Sequence, residues 1–191
     1  MSKHIGIVGC SAEGAALCYR TICEEGAHAL GAYAHPEVTL HTPSLARYVD
    51  CLNGGDLAGV AELMLASARK LAAAGADFLI CPDNTIHHAF ELMAPRSPLP
   101  WLHIADVVAA EAAARGFQRV GLTGRAGWST APCIRTGWPR AASLACGPAR
   151  TNAARSTASS WKNWCRAWSS RTAWRASSPS SAACASRVAT P

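Results

Sequence analysis

The chain has 191 residues, half of them hydrophobic, a size for one large domain or two small ones. Its formal net charge of +6 averages two unlike parts: residues 1–124 hold all 12 acidic residues and 8 basic ones, whereas residues 125–191 hold 10 basic residues and no acid. No apolar run reaches the roughly 18 residues of a membrane helix, no Cys-x-x-Cys occurs among the cysteines, and the scattered arginines of the basic part form no run that would favour nucleic acid.

Taken in chain order, Lys3 to Gly9 is a short apolar run ending in glycine, the pattern of a buried parallel strand. Ala12 to Glu25 follows at helical spacing, with Gly26 as the expected C-cap. Val38 to Thr42 reads as a second strand. Asp56 to Ala74 is the clearest helix, with an acid at its start, leucines at helical spacing and Gly75 as its stop. Asp77 to Pro82 and Leu99 to Ile104 are the third and fourth strands. Val107 to Arg115 is an Ala-rich helix, and Arg119 to Thr123 a fifth strand. This alternation predicts an α/β fold, an open parallel sheet with helices on both faces. Ligands of such sheets bind beyond the carboxyl ends of the strands. Three of those ends carry polar loops: Cys10-Ser11-Ala12-Glu13, Thr42-Pro43-Ser44 and Asp83-Asn84-Thr85-Ile86-His87-His88.

The glycines of the first loop, Gly6, Gly9 and Gly14, are spaced three and five apart. A dinucleotide fingerprint needs two and three, and a P-loop needs a Gly-Lys-Ser/Thr that does not follow. The octet CPDNTIHH carries the most chemistry. A helix starting near Thr85 would set Asp83 and Asn84 beside free backbone N–H groups, a place for a carboxylate. The bland alternative is a helix cap with solvated histidines. His41 reads as a strand-end polar residue rather than a metal ligand. Cys10, Cys18 and Cys23 read as small buried residues, and Trp101 as packing. The odd cysteine count and the absence of a signal sequence before the first strand point to free thiols in a reducing cytoplasm.

The segments IGIVGCSAEG, HPEVTLHTPSLARY, GADFLICPDNTIH, PLPWLHIADVVA and RVGLTG, in this order, resemble the aspartate/glutamate racemase family over residues 4–124. The resemblance implies two similar α/β lobes with the site between them. Each lobe supplies one acid/base residue, usually a cysteine, and no pyridoxal phosphate or metal is needed. It implies an amino acid or dicarboxylate as substrate and a homodimer in the full-length form. Asp83 stands where the family has its first-lobe cysteine, so it becomes the expected catalytic residue. Asn84, Thr85 and His87 match the residues that follow. Ser11, Ser44 and Thr123 fall near substrate-contacting positions. Cys81, two residues before Asp83, is still on the strand and is not assigned the role. A carboxylate is a weaker base than a thiolate, so racemase, isomerase and decarboxylase all stay open.

After Gly124 the composition changes. Residues 125–191 hold 12 Ser, 9 Arg and 6 of the 7 Trp, with no sustained apolar period. A linker would not be rich in Trp and Cys, whereas a GC-rich gene read out of frame gives this mixture. Joining each codon's third base to the first two of the next turns Trp161 to Cys165 into Glu, Glu or Lys, Leu, Val. One base restored beside the Arg125 codon makes the junction GLTGTRWLVDS. The expectation is therefore a racemase-like lobe over 1–124, then an irregular or disordered tail over 125–191, the frameshifted remnant of a truncated second lobe. The chain would then have little or no turnover. A non-catalytic binding module with a basic tail is the rival reading.

Overall fold

The computed structural model describes residues 3–117 and the backbone of two later strands, 119–122 and 143–146. The chain runs β1 (Ile5–Val8), α1 (Ala12–Leu30), β2 (Val38–His41), α2 (Leu45–Asn53), α3 (Leu57–Ala73) and β3 (Phe78–Ile80). A 3-10 turn at Thr85–Ala89, the single-turn α4 (Phe90–Met93) and another 3-10 turn at Ala94–Arg96 lead to β4 (Trp101–Leu102). Then come α5 (Ile104–Ala114), β5 (Arg119–Leu122) and β6 (Ser143–Cys146).

Four strands form one parallel sheet in the order β2-β1-β3-β4. Successive side chains of a strand point to opposite faces, and here both faces are apolar. Ile5, Ile7, Phe78 and Ile80 pack with Cys18 and Ile22 of α1 and Ile104 of α5. Val8, Leu79 and Cys81 face the other way, onto Tyr48 of α2, Met64, Leu65 and Leu71 of α3, and Ile86 and Met93. Burial on both faces explains why the strands read as unbroken apolar runs. Gly6 permits the close approach on the α3 side, where an added Cβ would lie 2.6 Å from Leu79 Cδ2 and 3.3 Å from Leu71 Cβ. The α/β class with helices on both faces is as the sequence predicts.

Local differences have physical causes. α1 does not stop at Gly26 but runs to Leu30, closed by Gly31 at φ +113°. Gly26 lies inside the helix because the chain returning to β2 crosses there, and its missing Cβ would sit 2.9 Å from His35 Cα. α2 was not predicted. Its apolar Leu45, Tyr48, Val49 and Leu52 do fall at helical spacing, a short stripe that the sequence reading passed over, and only Tyr48 of the nine residues is buried. α3 matches its expectation: Asp56 Oδ1 accepts from Gly59 N at 2.8 Å, and the helix ends before Gly75 at φ +88°. α5 starts three residues before Val107, because His103 caps it with an imidazole nitrogen. β5 does not join the four-stranded sheet; it pairs in parallel with β6, a strand the sequence reading did not predict. The rest of the predicted tail, residues 125–142 and 147–191, lies outside the described residues.

Candidate active site at the strand switch

Connections from β1 leave toward β2, and those from β3 leave toward β4, so the strand order reverses between β1 and β3. The crevice at their carboxyl ends is where α/β sheets bind ligands. Two predicted loops meet there. Asp83, half-buried just past β3, turns its carboxylate onto the loop after β1. Its Oδ2 accepts from Ser11 N at 3.0 Å and Cys10 N at 3.2 Å, and its Oδ1 from Ser11 Oγ at 2.9 Å. Ser11 is also the N-cap of α1, its Oγ accepting from Gly14 N at 3.2 Å. A Cβ on Gly14 would lie 2.8 Å from Ser11 Oγ and 3.5 Å from Asp83 Oδ2. The glycine thus lets the carboxylate sit at the positive end of a 19-residue helix.

The backbone of Asp83 is held as firmly. Its N–H donates to Cys81 Sγ at 3.5 Å, and its carbonyl accepts from His87 Nδ1 at 2.8 Å. A carboxylate offers about four acceptor positions. Oδ2 uses two and Oδ1 one, which leaves one position on Oδ1 for a proton or a ligand.

The two thiols beside it are not competing bases. Burial, then the charge of Asp83, pushes the Cys10 thiol up to about 12. Cys81 is fully buried and pushed well above its ordinary value by the same two causes. Both stay protonated at neutral pH. Tyr48, packed with them, carries a buried hydroxyl whose acidity burial lowers further.

Of the other predicted residues, Asn84 is half-buried and its side-chain amide has no partner among the described residues, and Thr85 is exposed beside it. Ser44 is exposed at the start of α2 and makes no cap bond. Its loop adjoins the first, since a Cβ on Gly9 would lie 2.7 Å from Thr42 Cγ2. His87, expected as a substrate contact, is 1% exposed, and its ring Nδ1 donates to the Asp83 carbonyl. The segment around it is a 3-10 turn rather than an α-helix, with no side-chain cap bond from Asn84. Thr123 lies outside the described residues. His41 bonds Ser67 Oγ at 2.9 Å and Lys70 Nζ at 3.0 Å, tying β2 to α3 as a structural residue. Among the described residues no cluster of three or more metal-ligating side chains occurs, and no helix is long and apolar enough to cross a membrane.

His103 was missed. It directly follows β4, so the same strand-end rule that flagged the other loops applied to it. Its ring lies edge-on to His87, with centroids 4.9 Å apart at 85°.

Known proteins agree with this architecture. A protein from Yersinia pestis, crystallised as a candidate Asp/Glu racemase, superposes with a TM-score of 0.65 at 23% identity, covering 75% of this chain and 64% of its own. An aspartate racemase homologue from Pyrococcus horikoshii OT3 superposes at 0.68 with 25% identity, covering 76% and 64%. The aspartate racemase of Picrophilus torridus reaches 0.58 at 15% identity, covering 75% and 62%. The chain therefore spans less than two thirds of the length of each. The family model for Asp/Glu/Hydantoin racemase matches residues 5–155. With that match over most of its length, the chain belongs to the Asp/Glu/Hydantoin racemase family.

Proposed function

We propose that the chain is the first lobe of a cofactor-independent enzyme that moves the α-proton of an acidic amino acid, with Asp83 as the first-lobe acid/base. The observation that carries this reading is the Asp83 carboxylate at the strand switch, directly before Asn84, whose amide has no partner among the described residues. The remaining acceptor position on Oδ1 takes the α-proton from one face of the substrate. Asn84 and Thr85 donate to the substrate carboxylate, which spreads the charge of the carbanion. Ser11 and Ser44 stand on neighbouring strand-end loops, and Thr123, outside the described residues, is taken from the family resemblance as a further substrate contact. A thiol from the second lobe returns a proton to the opposite face, inverting the centre. No step calls for a metal or pyridoxal phosphate, and the substrate is an amino acid or dicarboxylate. The buried thiols suit a reducing cytoplasm, and the full-length enzyme is read as a homodimer.

The 191-residue chain itself is read as inactive. Residues 125–191 are interpreted as an out-of-frame remnant of the second lobe, so the opposing thiol is missing. Two experiments test this. Resequencing the coding DNA across Gly124–Arg125 either reveals the missing base or removes the frameshift. Exchange of the aspartate or glutamate α-proton in deuterium oxide is then compared for this chain and the restored-frame protein. Exchange by the restored protein alone, lost in its Asp83→Ala variant, supports the proposal. Enzymatic exchange by the 191-residue chain refutes its inactivity, and full exchange by Asp83→Ala refutes the role of Asp83. Restored protein that leaves amino acids untouched but converts a dicarboxylate would point to an isomerase or decarboxylase.

A further inference from the structure

His87 poses a problem that the proposed chemistry does not use. Its Nδ1 lies 2.8 Å from a carbonyl, which only accepts, so the ring proton is on Nδ1. Its Nε2 is then an acceptor, buried and without a partner. Such an orphan is costly and calls for an explanation. The neighbouring ring supplies one. His103 Nδ1 accepts from Ala105 N at 3.2 Å as the cap of α5, so its proton is on Nε2. Asp106 Oδ1, 3.9 Å from the same Nδ1, is too far to compete for it. Among the described residues, one ring therefore has an unused acceptor, and its neighbour a ring N–H with no protein partner. Two imidazoles sharing one N–H···N bond have centroids about 5 Å apart, and these lie 4.9 Å apart at 85°. No hydrogen bond joins the two rings as they stand. Phe90 lies parallel to His87 at 5.8 Å and edge-on to His103 at 4.7 Å, and Trp101 closes onto Phe90 at 6.1 Å.

We propose that His103 is a positioning residue, donating its Nε2–H to the orphan Nε2 of His87 and so holding the Asp83 peptide under the site. The hydrogen bonds then run one way: from the first turn of α5, through His103 and His87, to the Asp83 carbonyl. Both rings must stay neutral, and burial acts in that direction on each, lowering His87 to about 3 and lowering His103 as well. The pairing gains its functional meaning from the proposed role of Asp83, but its test needs no turnover.

The experiment is ¹⁵N NMR of the histidine-labelled 191-residue chain at pH 7.5, with amide exchange. The wild type is expected to show His87 as the Nδ1–H form and His103 as the Nε2–H form. His103→Asn keeps a good cap for α5 but removes the donor that would reach His87. The His87 Nε2 resonance should then move toward that of a free lone pair, and exchange at the Asp83 amide should rise about fivefold or more. His103→Gln, which retains a distal donor, should restore the resonance in part. An Nδ1–H form of His103, a doubly protonated ring at this pH, or an unmoved His87 resonance in folded His103→Asn overturns the proposal. If that variant fails to fold, the wild-type tautomers and His103→Gln decide it. Loss of α-proton exchange elsewhere would leave these readouts untouched.

Discussion

Replacing Asp83 tests both the geometry of the site and the reason for it. Its carboxylate takes two backbone N–H groups on Oδ2 and one hydroxyl on Oδ1. A hydrogen bond to a charged group contributes about 1.5–3 kcal/mol. The three share one half-buried acceptor, so they do not add, and water reaches part of the loop when the group is removed. Asp83→Ala should cost about 3–4 kcal/mol. Asp83→Asn keeps an oxygen for Cys10 N and Ser11 N, while its NH2 meets Ser11 Oγ, which then loses its own acceptor. That variant should cost about 1–2 kcal/mol. Urea denaturation of the 191-residue chain and both variants, followed by far-ultraviolet circular dichroism, gives the two numbers. Asn costing as much as Ala, or both falling within about 0.5 kcal/mol of wild type, would refute the latch.

Acid should destabilise the fold through His87. Its folded-state value of about 3 lies below the ordinary 6.5, so the unfolded chain binds a proton that the folded chain does not. Stability is complete above pH 6.5 and falls toward pH 3 by up to about 1.4 kcal/mol per unit; His87→Asn should flatten a plot of Tm against pH over that window, and an unchanged slope would count against a neutral buried ring. Gly6→Ala should cost about 1–3 kcal/mol by overpacking against Leu79 and Leu71, whereas Gly54→Ala, with nothing nearer than 3.4 Å and an αR backbone, should be close to neutral in the same urea assay. Brief iodoacetamide treatment at pH 7.5, followed by peptide mapping of residues 3–117, should modify the part-exposed Cys23 and Cys51 while sparing Cys10, Cys18 and Cys81. Early modification of Cys81 would contradict its burial.

The fold was legible where burial wrote it into the sequence. Ile5, Ile7, Phe78, Leu79 and Ile80 are buried from both faces, so β1 and β3 appear as apolar runs, and α3 shows its caps and leucines plainly. α2 was legible and was passed over: Leu45, Tyr48, Val49 and Leu52 recur at helical spacing, but over only nine residues. Gly26 misled because a glycine needed for close packing and one needed for a positive φ look alike in sequence. Strand-end position and family resemblance singled out Asp83 and Asn84 as candidates. Neither could show that Asp83 turns back onto Ser11, a contact 72 residues apart. Nor could they show that His87 points inward, since an imidazole suits a core and a surface equally well.

That long-range contact bears on the order of assembly. Ser11 and Asp83 cannot meet until β1, α1, β2, α2, α3 and β3 have been made and folded back together. The loop they close is long, so its entropy is paid late, and the contact belongs to the slow, non-local share of the folding reaction. A nascent chain released before Asp83 would carry an α1 whose first turn has Glu13 but lacks the Asp83 carboxylate on Ser11. The Asp83 carboxylate thus doubles as a completion mark, since it reaches the first turn of α1 only once three of the four strands of the sheet stand.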